Sequence, residues 1–138
     1  MTLYVSLVDI PRVKDYRITT FAQLYDRTGP KSAIYAKKGS DMAGYDDHDG
    51  QIWMDGQMVD WRSANVHVLT HAMHYASSVF EGERAYNSKI FLSRKHSERL
   101  HYSAGELDFQ IPYTVDEIEA AKQQVLTANG LTDAYVRA

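Results

Sequence analysis

The stretch Val79-Phe80-Glu81-Gly82-Glu83-Arg84-Ala85-Tyr86-Asn87-Ser88-Lys89-Ile90-Phe91-Leu92-Ser93-Arg94-Lys95-His96-Ser97-Glu98-Arg99-Leu100 moves from strand to turn to strand to helix within 22 residues. Val79–Tyr86 and Lys89–Leu92 are β-rich runs around Asn87-Ser88, a two-residue loop suited to a tight hairpin. The next stretch changes period: Ser93 is placed to cap a helix whose apolar stripe is Leu100, Ala104 and Leu107.

The same logic extends in both directions. Upstream, Ile52-Trp53-Met54 and Gln57-Met58-Val59 flank Asp55-Gly56, the pair favoured by a type I′ turn. Downstream, Thr114-Val115-Asp116-Glu117 spells a capping box, with Val115, Ile118, Ala121 and Val125 as the buried stripe. Asn129-Gly130 ends that helix, with Gly130 free to take the left-handed conformation. Asp133–Ala138 then reads as a strand. Hairpins come first and helices follow, so the expected class is α+β.

Residues 1–49 are expected to be an irregular N-terminal extension, separate from a unit over 50–138. Within the extension, Leu3–Val8 reads as a strand closed by Asp9 and Pro11, and Ile18–Asp26 as a short helix closed by Gly29-Pro30. Lys37–Gly50 is rich in Gly, Asp, Ser and Lys and reads as a loop.

Composition narrows the function classes. The 138 residues carry a net charge of -3 and no cysteine, with a pI near 6.0. The chain can build an ordinary core, and it excludes disulfides and thiolate chemistry. Its charge gives no footprint for nucleic acid. No apolar run approaches the ~20 residues of a membrane helix. Leu3–Ile10 contains Asp9 and lacks preceding basic residues, so it does not read as a secretory signal. These features lead us to expect a soluble, cytoplasmic protein.

Four constellations could carry chemistry. His67, His71 and His74 have spacings that would place them on one helical face, where imidazoles can bind a borderline metal. Packed or hydrogen-bonded histidines are the commoner outcome, and Val66, Val68 and Thr70 read instead as strand. Glu81, Glu83 and Arg84 would form a solvated strand face on physics alone. Arg99 offers a planar fork suited to a phosphate, against the plainer reading of a surface arginine. Tyr135 and Arg137 share a strand face, where a hydroxyl beside a guanidinium can receive a carboxylate, or simply line an edge strand. The Gly-rich phosphate loop, G-x-G-x-x-G and G-x-S-x-G are absent from the sequence.

The order and spacing of these residues resemble the branched-chain amino-acid aminotransferases, pyridoxal-phosphate enzymes of fold type IV. Val66-His67-Val68-Leu69-Thr70-His71-Ala72-Met73-His74-Tyr75 and Val79-Phe80-Glu81-Gly82-Glu83-Arg84-Ala85-Tyr86 are similar to that family's V-H-V-x-x-H-x-x-H-Y and V-F-E-G-x-R-x-Y. Trp53-Met54-Asp55-Gly56 is similar to its W-x-[ND]-G. Arg94–Leu100 is similar to its R-x-x-H-x-x-R-L, and Asn129–Arg137 to its N-x-L-x-x-A-Y-I-R. The likeness runs from about Gly50 to Ala138. Ala76 and Glu83 depart from it, standing where glycine and an aliphatic residue are common.

The resemblance implies the small N-terminal domain of that fold and transamination between leucine, isoleucine or valine and 2-oxoglutarate. It implies a pyridoxal 5′-phosphate cofactor, amino-acid and 2-oxo-acid substrates, and a homo-oligomer. Residue by residue, it implies that Arg99 holds the cofactor phosphate. Tyr75 and Phe80 would line the substrate side-chain pocket, and Tyr135 and Arg137 would receive carboxylates. The histidine series becomes structural. The family's cofactor lysine lies beyond position 138, and Lys14, Lys31, Lys37, Lys38, Lys89, Lys95 and Lys122 do not sit in its motif. The resemblance therefore implies a fragment that is inactive alone, with apolar faces left exposed. It starts shortly after Met42, which suggests Met42 as the natural start. The alternative is a non-catalytic or metal-binding module that retains the fold.

Overall fold

The computed structural model describes residues 3–9 and 48–138. The expected helix over Ile18–Asp26, the loop up to residue 47, and Met42 lie outside the described residues. Six strands form one sheet in the order β3-β2-β1-β6-β4-β5, and every adjacent pair is antiparallel. The strands are β1 (Tyr4–Asp9), β2 (Gln51–Met54), β3 (Gln57–Asp60), β4 (Gly82–Tyr86), β5 (Lys89–Ile90) and β6 (Ala134–Arg137). Helices α1 (His71–Tyr75), α2 (Ser93–Glu106) and α3 (Val115–Ala128) complete it, with α2 packed on α3. This is the expected α+β class.

Both tight turns use positive φ, as their sequences require. Asp55 and Gly56 lie at φ 48° and 91°, and Asn87 and Ser88 at 48° and 63°. The α3 capping box is complete: the Thr114 hydroxyl accepts from the Glu117 amide, and the Glu117 carboxylate accepts from the Thr114 amide. Gly130 takes φ 64° beyond the helix end.

The core lies between the helices and one face of the sheet. Val5, Trp53, Ala85, Ala134 and Val136 from the strands meet Leu100, Ala104, Ile118, Ala121, Val125 and Leu126 from the helices. Burying a side chain of leucine or valine size contributes about 1.5–3 kcal/mol, so this cluster holds the helices to the sheet.

Several expectations change. Leu92, in the left-handed conformation, occupies the N-cap of α2; Ser93 lies inside the first turn, and its hydroxyl donates to Glu119. Leu107 is 47% exposed, so the buried stripe of α2 is Ser97, Leu100 and Ala104. The β1 strand pairs on both sides with strands from beyond residue 50. As a result β6 is an interior strand, flanked by β1 and β4, rather than an edge.

Candidate functional site

Strand alternation gives the sheet a second face, turned away from the helices. Gly82 pairs with Arg137, and Arg84 with Tyr135. The burial pattern along β6, buried at Ala134 and Val136 and more open at Tyr135 and Arg137, confirms that the tyrosine and arginine share this face. A Cβ built on Gly82 would lie 2.3 Å from the Tyr135 hydroxyl oxygen, so only glycine lets the phenol lie across β4 there. The Arg137 guanidinium sits 4.8 Å from the centre of the Phe80 ring, a cation–π contact. Arg84 lies 5.6 Å over the Tyr86 ring.

The ladder continues past Gly82. Glu81 and Ala138 exchange backbone hydrogen bonds of 2.8 and 3.1 Å. This turns the Glu81 carboxylate toward α2, where it accepts from the Arg99 Nε and Nη2 and from His96 Nδ1. Glu81 is 3% exposed, so the solvated face expected for it is overturned. The Arg99 side chain remains 63% exposed, with one edge of its fork on Glu81 and the rest facing outward. The bond from Arg99, with help from His96 and against the cost of burial, holds the Glu81 carboxyl below its ordinary value; the same bond raises Arg99. A permanently charged arginine, fixed along one edge and open along the other, fits a phosphate group.

Thus Phe80, Tyr135 and Arg137 share the face of β4 and β6 turned away from the helices, while Arg99 on α2 is held by Glu81, which turns toward the helix. The carriers are two neighbours in sequence: Phe80 under Arg137, and Glu81 holding Arg99. Tyr75 stands apart on α1, 73% exposed, its ring edge-on to that of His71. Sequence reasoning missed the roles of Glu81 and His96. The spacing of His96 and Arg99, three residues apart on one helix face, was the available signal.

The three histidines do not share a helical face. The helix starts only at His71. His67 Nδ1 accepts from the Leu69 amide, and His74 Nε2 donates to the Val68 carbonyl. Val66 and Val68, read as strand, lie in the irregular stretch before α1, with Val68 in its turn. No cluster of metal-ligating side chains is found among the described residues.

Glu83 also leaves the expected solvated face. It is 2% exposed and ion-paired with Lys122, itself fully buried. Lys122 donates to the Ser97 hydroxyl at 2.7 Å and the Ser93 carbonyl at 3.4 Å. Burial pushes the Glu83 carboxyl up, opposed by the Lys122 ammonium beside it. This group lies on the helix side of the sheet, away from the Tyr135 face. Among the described residues, no helix is long and apolar enough to cross a membrane.

Comparison with known proteins agrees with this geometry. Residues 78–138 match the family model for class IV amino-transferases. The chain is 50% identical over 86 residues to a probable branched-chain-amino-acid aminotransferase of Rickettsia felis, covering 62% of this chain and 30% of that protein. It is 47% identical over 95 residues to the branched-chain-amino-acid aminotransferase of Pseudomonas aeruginosa, covering 66% and 31%. Among solved structures, the Escherichia coli enzyme of that name superposes with a TM-score of 0.63 at 44% identity, covering 65% of this chain and 32% of that one. The T.th. enzyme of the same name, solved with N-(5′-phosphopyridoxyl)-L-glutamate, gives 0.62 at 41%, covering 64% and 32%. The chain thus spans about a third of the length of these relatives. Through residues 78–138, and with the sheet and helices just described, this chain is similar to the class IV aminotransferases.

Proposed function

We propose that this chain supplies part of the active site of a pyridoxal-phosphate-dependent branched-chain amino-acid aminotransferase. The observation that carries the reading is Arg99, held along one edge by buried Glu81 and left open along the other. Arg99 would hold the phosphate of the cofactor, and Glu81 and His96 keep its fork oriented. When bound, the cofactor supplies an electron sink for the bond-breaking at the substrate α-carbon. The chain's own contribution is binding and orientation. The Tyr135 hydroxyl and the Arg137 guanidinium would receive substrate carboxylates, and the Phe80 ring would reward an apolar side chain in the same space. A site with both an aromatic wall and an arginine accommodates leucine, isoleucine or valine in one half-reaction and glutamate in the other.

Catalysis further requires a lysine to carry the cofactor. Among the described residues, Lys122 is buried against Glu83, and Lys95 pairs with Glu98. The chain spans only about 30% of such a relative's length, and we place that lysine in the remainder, so the 138-residue chain alone is expected to be inactive. The exposed apolar side chains Val66, Val68, Leu69, Met73, Tyr75 and Phe80 would be covered in a soluble, cytoplasmic homo-oligomer of the longer enzyme.

The test is a transaminase assay on the product of the open reading frame that carries this sequence, with leucine and 2-oxoglutarate. Arg99→Ala should raise the cofactor concentration needed for half-maximal activity. Arg137→Ala should raise KM for 2-oxoglutarate more than for leucine. Wild-type activity that is unchanged by both substitutions would overturn the assignment.

A further inference from the structure

Asn129-Gly130 closes α3, and the pair has a reactivity of its own. In water, the backbone nitrogen that follows an asparagine can attack the side-chain carbonyl carbon, Cγ. The new C–N bond closes a cyclic imide, the nitrogen loses its proton, and the side-chain nitrogen leaves as ammonia. Water then opens the ring to aspartate, or to isoaspartate, whose main chain runs through the side-chain carbon. A following glycine favours the attack, because no Cβ shields its nitrogen. The asparagines of this chain are Asn65, Asn87 and Asn129, and only Asn129 precedes a glycine.

The fold holds this chemistry off. Asn129 Oδ1 accepts from the Gln51 amide at 2.8 Å. Its Nδ2 donates to the Gln51 carbonyl at 3.0 Å and to the Val125 carbonyl at 2.7 Å. These bonds turn the side-chain amide onto the start of β2 and fix it there. The attacking nitrogen is engaged as well: the Gly130 amide donates to the Thr127 carbonyl at 3.0 Å, so the proton that must leave is itself bonded. Asn129 is half-buried, but Gly130 is exposed. Water therefore reaches the pair, and confinement of the side chain, rather than dryness, keeps nucleophile and carbonyl carbon apart.

We infer that Asn129-Gly130 is a spontaneous deamidation site, closed while the Asn129 side chain is tied to Gln51 and opened when the junction of α3 and β2 loosens locally. The conversion runs one way. A carboxylate at position 129 has no hydrogen to give. It would set a negative charge against the Gln51 and Val125 carbonyls in place of two donated bonds, so the tie would not re-form. Deamidation thus records past opening of this junction. Isoaspartate would also displace the chain that leads into β6, the strand of Tyr135 and Arg137.

The test follows Asn129 and Asn87 in the full chain at neutral pH, folded and in urea, by peptide mass and by labelling with an isoaspartate methyltransferase. In urea Asn129 should convert faster than Asn87. Folding should slow Asn129 by about tenfold or more, the factor imposed by a local opening that breaks several hydrogen bonds. It should slow Asn87 less, since that side chain makes no hydrogen bond among the described residues. Equal folded and unfolded rates at Asn129 would overturn the proposal.

Two variants separate the chemistry from the gate. Gly130→Ala should slow conversion in urea, because the added Cβ hinders the attacking nitrogen; an unchanged rate would overturn the ring-closing route. Gly50→Ala places a Cβ against the Asn129 side-chain oxygen, and it should raise the folded-state rate toward that in urea. An unchanged rate in a folded Gly50→Ala chain would overturn the Gln51 tie as the gate. If that variant fails to fold, the unaltered chain decides in urea below its unfolding transition. There the Asn129 rate should rise while circular dichroism stays constant, and a rate that rises only with global unfolding would overturn local opening. None of these outcomes depends on transamination.

Discussion

Gly82 and Glu81 show how much rests on single residues. The space that a Cβ would need at Gly82 is filled by the Tyr135 hydroxyl and ring. Gly82→Ala is therefore expected to push the phenol off β4 at a cost of about 1–3 kcal/mol, read as a lower denaturation midpoint. Tyr135→Phe in the same background should recover part of that loss, because it removes the closest atom. Glu81 makes a pH prediction with a definite sign. Its folded-state pKa lies below the ordinary 4.5. The stabilisation is thus fully present above that value and is lost as pH falls through the lower folded value. Acid titration of stability should show this loss below about pH 4.5 in the wild type. In Arg99→Ala this acid-side loss should shrink, since the largest cause of the lowering is gone and the folded and unfolded values draw together.

Elements are held by their ends. The α3 helix begins with a reciprocal cap, and Thr114→Ala should cost about 1 kcal/mol. At the other end, Asn129 ties helix to sheet. Its side chain accepts from the Gln51 amide at 2.8 Å and donates to the Gln51 carbonyl at 3.0 Å, acting as a peptide group would. Gly50, at φ 141°, leaves room for it: a Cβ there would lie 2.4 Å from the Asn129 side-chain oxygen. Asn129→Ala is expected to cost about 1–3 kcal/mol, since it strands both Gln51 groups, and to raise hydrogen exchange at the start of β2. The cap was legible in the sequence because its partners are three residues apart. The Asn129 bridge was not, because its partners are 78 residues apart.

At the scale of the molecule, α2, α3 and β4 meet at the buried Glu83–Lys122 pair. Removing one partner leaves a charge in the core, so Lys122→Met alone should cost about 3–5 kcal/mol. Replacing both, as Glu83→Leu/Lys122→Met, should restore most of that loss or add stability. A double-mutant cycle in urea measures the coupling, and additive losses would refute it. The sequence placed Glu83 on a solvated face because alternation alone cannot say which phase of a strand turns inward. The phase was set by the neighbours: Val136 and Ala85 take the helix side, and Glu83 lies in the same row as Val136.

What the sequence determined by itself was local. Both hairpin turns, the α3 cap and stop, and the shared face of Tyr135 and Arg137 follow from residues within a few positions of one another. So did the resemblance to a family, because its motifs are also runs of neighbours. Long-range pairing was decided only by the tertiary structure. It placed β1 inside the sheet, turned Glu81 onto Arg99 and buried Lys122. Each of these depends on which surfaces meet after the chain has closed long loops, and a periodic pattern carries no information about the partner that will cover it.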